Sequence, residues 1–217
     1  MTRGMVAAVA LAGLATAAAA AWSSRILDRP VTTASSELED LPAWADSERT
    51  FLTDAQLIQA KAHGALDRDV ESVLNVRKQM QYGEFIWNDR NVPKGPVWVR
   101  VDLKRQILSV FRSGHEIGTT VILYGAAEKE TPSGVFPVLA KAKDYRSITY
   151  DGAPMPYTLM LTGDGVAIHG SDVRWGAATH GCIGVPLPFA AKLFGQVSKG
   201  DQVVVISDKD PADLAYR

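Results

Sequence analysis

The residues of this chain that are best suited to covalent chemistry lie in one short stretch. It holds the only cysteine, Cys182, and two of the four histidines, His169 and His180. A thiol becomes a strong nucleophile when a neighbouring imidazole takes its proton or stabilises the thiolate. His169 lies thirteen residues before Cys182, which leaves room for a loop to bring the thiol back beside the imidazole. The pattern therefore indicates a Cys-His site for acyl transfer.

Two glycines accompany these side chains. Gly170 follows the first histidine and Gly181 precedes the cysteine, and glycine lets the backbone approach a substrate closely. In an extended chain, His180 and Cys182 would share a face. The amide N–H of Cys182, with help from Gly181, could hold the oxyanion of a tetrahedral intermediate.

Two other interpretations of the same residues stay open. Histidines and a buried cysteine can be packing groups in a β-core. They can also bind a metal, here through the four side chains His169, Asp172, His180 and Cys182. None of the spacings is that of a familiar zinc motif, so we predict neither a metal nor a cofactor.

The N-terminus predicts export. Arg3 gives a positive start, residues 5–21 are uncharged and rich in alanine, valine and leucine, and a run of alanines that includes 18–21 precedes Trp22. These features describe a secretory signal, although a run only slightly longer would suffice to span a membrane. We expect a signal peptide or an N-terminal anchor over 1–22, with the rest of the chain in the periplasm or cell envelope. A lone cysteine in an exported chain cannot form an internal disulfide, which favours a use for its thiol.

Composition and patterning divide the remainder of the chain. A formal net charge of -1 offers no basic face for nucleic acid. Residues 23–52 have a mixed composition and are expected to be a linker. A helical segment is predicted over 53–93, because it opens with a capping-box pattern and its apolar residues recur near a 3.6-residue period as far as about Met80.

From residue 96 the pattern changes to strands. Short runs rich in β-branched and aromatic residues alternate with Gly, Pro and charged turns. The predicted strands are 97–103, 106–111, 115–123, 135–139, 157–161, 166–168 and 202–206. One short helix is predicted from Pro188 to Phe194, with proline at its start. The predicted fold class is mainly β, a sandwich or barrel over 96–207 with a tail at 208–217.

The site residues resemble the signature of L,D-transpeptidases with a YkuD catalytic domain. That signature is a histidine, a variable spacer and Ser/Thr-His-Gly-Cys, which is similar to His169-Gly170 followed by residues 179–182. The resemblance extends over about 96–207. It includes Thr-Pro-Ser-Gly-Val-Phe at 131–136, Met-Pro-Tyr at 155–157 and Gly-Asp-Gln-Val-Val-Val at 200–205. It implies a YkuD-like β-sandwich or barrel.

The resemblance also implies roles for the residues of the motif. Cys182 would be the nucleophile and His169 its general base, oriented by the carbonyl of Gly170. His180 and Gly181 would shape the oxyanion site. The implied reaction attacks the third-residue carbonyl of a peptidoglycan tetrapeptide stem, expels the terminal D-Ala, and passes the acyl group to the amine of a second stem. Resolution of the same acyl-enzyme by water, and a non-catalytic wall-binding module, are the alternatives.

On the substrate side the resemblance is less complete. It implies that Tyr157 lines the donor pocket, and Arg174 and Trp175 are candidates for substrate contacts in the loop before Cys182. The family usually has arginine two residues after the cysteine, where this chain has Gly184. Arginine offers a fork of donors for carboxylates, so its absence removes a substrate clamp. Either Arg174 or Arg146 takes over that role, or the substrate differs from the usual stem.

Overall fold

The structure is a computed structural model that describes residues 48–62, 68, 70–125 and 129–207. The predicted signal or anchor, most of the linker and the C-terminal tail lie outside the described residues. Within the described part, the elements are β1 (Arg49–Phe51), α1 (Asp54–Ala62), β2 (Ser72–Leu74), β3 (Phe85–Trp87), β4 (Val97–Asp102), β5 (Ile107–Arg112), β6 (His115–Val121), β7 (Gly134–Pro137), β8 (Ala140–Arg146), β9 (Pro154–Met160), β10 (Ala167–Ser171), β11 (Ile183–Pro186), α2 (Leu187–Gln196) and β12 (Gln202–Ile206). Strands dominate, and the mainly β fold class is confirmed.

The larger sheet has eight strands in the order β1-β2-β6-β5-β4-β12-β7, with β3 also paired to β6. Its centre is the hairpin β4-β5, which turns at the charged residues that the sequence indicates. There the carboxylate of Asp102 accepts hydrogen bonds from the backbone N–H of Arg105 at 2.9 Å and from its guanidinium at 2.8 Å. The last strand, β12, pairs in parallel with β4, which places it inside the sheet.

The smaller sheet has four strands in the order β11-β10-β9-β8. Strands β10 and β11 run in parallel, from Ile168 opposite Ile183 to Ser171 opposite Pro186. The sequence did not predict β11, nor β8, whose residues are charged and mostly exposed. The two sheets meet after β6, where Leu123 and Gly184 exchange backbone hydrogen bonds of 2.9 Å in both directions.

Helix α2 covers the core beside these strands. It begins one residue before and ends two residues after the predicted helix. Phe189 and Leu193 are buried on its inner face, and each buried side chain of this size contributes about 1.5–3 kcal/mol. Phe189 makes edge contacts with Phe85 at 5.7 Å and Trp87 at 5.3 Å between ring centroids. Strand β3 is thereby packed into the same core.

The prediction of helix through Met80 is wrong. The helix α1 starts with the predicted capping box, in which the Gln56 N–H donates to Thr53 Oγ1 at 3.3 Å and the Thr53 N–H to Gln56 Oε1 at 3.0 Å. It ends at Ala62, however, and residues 72–74 are a strand. Pairing with β6 at His115 outweighs the helical periodicity, as tertiary context commonly does. Among the described residues, no helix is long and apolar enough to cross a membrane.

A buried polar network ties β1 and β2 to β6. Ser72 Oγ lies 2.9 Å from His115 Nδ1, and His115 Nε2 lies 3.1 Å from a carboxylate oxygen of Glu71. This order of groups resembles a catalytic triad. Ser72 is 0% exposed, and its hydroxyl oxygen accepts a hydrogen bond from Arg49 at 3.1 Å. The network is therefore structural, because no substrate can reach the hydroxyl.

Candidate active site

His169 lies within β10, directly opposite Gly184 of β11. Its Nδ1 is 3.0 Å from the carbonyl oxygen of Gly170 and 3.3 Å from Ser171 Oγ. A carbonyl oxygen can only accept, so Nδ1 carries the ring proton and Nε2 keeps its lone pair. Burial lowers the pKa of His169, and the hydrogen bond to Gly170 opposes this shift. The imidazole is therefore neutral near pH 7, with Nε2 able to take a proton.

Cys182 comes immediately before β11 and is partly buried. Its Sγ donates to the carbonyl oxygen of Gly165 at 3.6 Å. Burial raises the pKa of the Cys182 thiol, while a hydrogen bond from the Ala167 backbone and the charge of Lys129 act in the opposite direction. The thiol is therefore protonated at neutral pH. The structure holds His169 in β10 and Cys182 immediately before the neighbouring parallel strand β11 as two uncharged groups.

Two threonine hydroxyls fix the backbone on either side of the thiol. Thr131 Oγ1 accepts from the N–H of Gly125 at 2.9 Å and donates to the carbonyl of Gly181 at 3.0 Å. Thr179 Oγ1 donates to the carbonyl of Cys182 at 2.5 Å. A trans peptide is planar, so binding the Gly181 carbonyl on one side directs the N–H of Cys182 to the other side.

Gly181 itself has a backbone conformation that favours glycine, with φ +99°. Residues 180–182 are consequently not extended, and the expectation that His180 and Cys182 share a face of an extended chain is wrong. His180 is exposed and stacks on the ring of Tyr150, with centroids 4.6 Å apart and planes inclined by 30°.

Three residues were candidates for substrate contacts, and the contacts described for them are with side chains other than Cys182 and His169. Tyr157 adopts φ +56° in β9, and its ring meets the edge of Phe194 at 5.7 Å. Trp175 is 83% exposed and makes an edge contact with Tyr82 at 5.7 Å. A guanidinium nitrogen of the exposed Arg174 pairs with the Asp172 carboxylate at 3.5 Å.

At the position of the usual arginine, a side chain would have to displace Ser171. A Cβ on Gly184 would lie 2.8 Å from Ser171 Oγ and 3.3 Å from the Cβ of Leu123. Of the two arginines considered as replacements, Arg174 pairs with an acid of its own loop. Arg146 donates to the carbonyl of Gly152 at 2.9 Å.

Sequence reasoning missed several residues of the site. Thr131 appeared only as part of a quoted motif, and its bridging role depends on a contact fifty positions along the chain. Thr179 likewise appeared only as part of the quoted signature, and Ser171, Lys129 and Tyr150 carried no sequence signal for their positions. In the described part of the chain, no group of three or more His, Cys, Asp or Glu residues could hold a metal ion.

The fold and the site define a mainly β domain with a histidine in one strand and a cysteine immediately before the neighbouring parallel strand. The family model for the L,D-transpeptidase catalytic domain, YkuD, matches residues 96–205, which is just over half of the chain. The chain belongs to the L,D-transpeptidase enzyme family, and the resemblance found in the sequence is confirmed.

Several solved structures are similar to this chain. The Ldtfm-avibactam carbamoyl enzyme is 31% identical over 52% of this chain and 49% of its own, with a TM-score of 0.47. A cysteine-to-serine mutant of the Enterococcus faecium L,D-transpeptidase is 29% identical over 52% of this chain and 50% of its own, with a TM-score of 0.46. An L,D-transpeptidase from Stackebrandtia nassauensis is 26% identical over 55% of this chain and 60% of its own, with a TM-score of 0.48.

The chain therefore spans about half to three fifths of the length of these structures. No curated protein matches it.

Proposed function

We propose that this chain is an exported peptidoglycan L,D-transpeptidase that works through a thioester on Cys182. One observation carries the proposal: the parallel pair β10-β11 holds His169 opposite Gly184, two residues after Cys182. An imidazole whose Nε2 can take a proton thus lies in β10, and a protonated thiol lies immediately before the neighbouring strand β11. Membership of the L,D-transpeptidase family supports the choice of a peptidoglycan stem as acyl donor.

The first half-reaction forms the thioester. As Sγ of Cys182 leaves the Gly165 carbonyl and attacks the third-residue carbonyl of the donor stem, Nε2 of His169 takes the thiol proton. The Gly170 carbonyl, 3.0 Å from Nδ1, stabilises the resulting imidazolium and keeps the ring in place. When the tetrahedral intermediate collapses, the amine of the departing D-Ala takes that proton from His169.

The second half-reaction reverses the roles. The amine of an acceptor stem gives a proton to Nε2 of His169 as it attacks the thioester. The new amide forms, the carbon–sulfur bond breaks, and the proton returns from His169 to Cys182. Both groups are then neutral again, which agrees with the lowered pKa of His169 and the raised pKa of Cys182.

The oxyanion of both intermediates is assigned to the backbone around Gly181 and Cys182. Support comes from Thr131, which binds the Gly181 carbonyl at 3.0 Å and so fixes the direction of the Cys182 N–H. A donor that is already oriented costs no reorganisation when negative charge develops. His180, stacked on Tyr150, would form the outer wall of this pocket.

Tyr157, Arg174 and Trp175 are proposed to contact the substrate. Tyr157 is held at a positive φ that costs a non-glycine residue energy, and such strain is found most often at functional sites. The exposed ring of Trp175 and the exposed guanidinium of Arg174 could meet the acyl donor or the glycan. Residues 1–22 would export the domain and be cleaved or remain as an anchor.

The test is a product assay with purified protein, a synthetic tetrapeptide stem and an amine acceptor. We expect D-Ala release and the new amide in equal amounts, and loss of both in Cys182→Ala. Release of D-Ala without a new amide would instead identify an L,D-carboxypeptidase or amidase. Absence of D-Ala release, together with unchanged wall binding by Cys182→Ala, would identify a non-catalytic wall-binding module.

A further inference from the structure

A lysine that the motif does not contain lies against the backbone beside the thiol. A Cβ placed on Gly181 would be 3.4 Å from Cγ and 3.5 Å from Cε of Lys129. The lysine side chain therefore runs along the residue that precedes Cys182. Its charge acts on the site. Burial raises the pKa of the Cys182 thiol and the lysine charge opposes that rise, while the pKa of the Asp164 carboxyl is lowered first by the Thr162 hydroxyl and also by the lysine charge.

Lys129 is exposed, and its ammonium group lies near two exposed rings. Its Nζ is 6.0 Å from the ring centroid of Tyr150, and Tyr150 stacks on the exposed His180. Asp164, the acid on which its charge acts, is hydrogen bonded to the hydroxyl of Thr162. Within the described residues, Lys129 forms no ion pair, so its charge is available to an incoming anion.

The other cations near the site are less suited to binding an anion beside the thiol. Arg174 is paired with Asp172 at 3.5 Å, and Arg146 donates to Gly152. Position 184 cannot hold a side chain without moving Ser171. Of the positive groups considered, Lys129 is the one whose side chain packs against the residue next to Cys182.

We propose that Lys129 is a specificity-determining residue that binds the C-terminal carboxylate of the acyl donor. The assignment rests on the proposed function. The residue expelled from the stem carries its carboxylate next to the carbonyl that the thiol attacks, so the carboxylate must lie close to Cys182. A charge-assisted hydrogen bond from the ammonium group favours a donor that ends in a free carboxylate. The same contact selects stems whose scissile bond is the last one of the peptide.

The test varies the protein and the ligand together. A Cys182→Ala background allows binding without turnover, and it is combined with Lys129→Gln, Lys129→Arg or the control Lys199→Gln, an exposed lysine of the turn before β12. Each protein is titrated calorimetrically with two synthetic tetrapeptide stems, one ending in a carboxylate and the other in a carboxamide.

With Lys129 present, we expect the carboxylate peptide to bind about tenfold more tightly than the carboxamide, as for one partly exposed hydrogen bond between charged groups. Lys129→Gln should remove this preference and leave carboxamide binding unchanged. Lys129→Arg should keep most of the preference, and Lys199→Gln all of it.

Two results would overturn the assignment, and they can be told apart. If Lys129→Gln weakens the binding of both peptides equally, or of neither, the lysine does not bind the carboxylate, while the proposed function stands. If the folded Cys182→Ala protein binds neither peptide, the stem is not its ligand, and the proposed function fails together with the assignment.

Discussion

Replacing Thr131 by valine tests whether one hydroxyl holds the backbone of the site in place. Valine has nearly the shape of threonine, so the change removes the hydroxyl and little packing. That hydroxyl accepts from the N–H of Gly125 at 2.9 Å and donates to the carbonyl of Gly181 at 3.0 Å. Thr131 is only 6% exposed, so water cannot easily replace either bond. Thr131→Val therefore leaves one buried donor and one buried acceptor unsatisfied.

The expected cost follows from those two groups. Each buried polar group without a partner costs about 1–3 kcal/mol, so the two groups together should lower the free energy of unfolding by about 2–6 kcal/mol. For a protein of this size that is a fall in Tm of about 4–24 °C. The Gly181 peptide also loses the contact that directs the Cys182 N–H. We expect the acylation rate to fall about tenfold, less than the loss from removing an oxyanion donor outright.

Urea unfolding and stopped-flow acylation by a carbapenem measure the two effects separately. The matched variant Thr131→Ser keeps the hydroxyl and loses one methyl group, so it should cost about 1 kcal/mol and acylate at the wild-type rate. The reasoning is refuted if Thr131→Val unfolds within about 0.5 kcal/mol of the wild type, or if it acylates as fast as Thr131→Ser.

Three further predictions concern the same site. The acylation rate should be constant near pH 7 and fall only below pH 6.5. Burial lowers the pKa of His169 below the ordinary value of 6.5 for an imidazole, and the base accepts a proton only while it is neutral. A decline that begins above pH 7 in the stopped-flow profile would contradict this prediction. Gly184→Ala should lower the free energy of unfolding, measured in urea, by about 2 kcal/mol, because the new Cβ would lie 2.8 Å from Ser171 Oγ. Adding Ser171→Gly should recover most of that loss. If the double variant shows no recovery, the clash is not the cause. His169→Ala should slow acylation about 10²- to 10⁴-fold. His180→Ala should slow it less, because the His180 ring is exposed and contacts Tyr150. Equal losses of rate in single-turnover assays would be inconsistent with the assigned roles.

The sequence predicts best those elements whose signals are local. The hairpin β4-β5, the capping box at the start of α1 and the proline in the first turn of α2 each depend on neighbouring residues, and the structure contains all three. Strand β2 depends instead on pairing with β6, which no local pattern reveals. Strand β8 is charged and mostly exposed, so it lacks the apolar alternation of a half-buried strand.

In the candidate site, too, local signals could be predicted from the sequence and long-range contacts could not. The nucleophile and base were proposed from the types and spacing of Cys182 and His169, because a thiol and an imidazole have this reactivity whatever fold they belong to. The contacts of Thr131 and Lys129 with Gly181 join residues about fifty positions apart. They follow from the three-dimensional meeting of β6, the segment before β7 and the loop before β11. A single sequence does not contain that information.

The central claim is that Cys182 forms the acyl-enzyme with His169 as its base. Intact-protein mass spectrometry after incubation with a carbapenem, a reactive acyl donor, tests it most directly. We expect the wild type to gain the mass of one carbapenem, His169→Ala to gain it far more slowly, and Cys182→Ala to gain none. An adduct on Cys182→Ala, or no adduct on the folded wild type, would contradict the account.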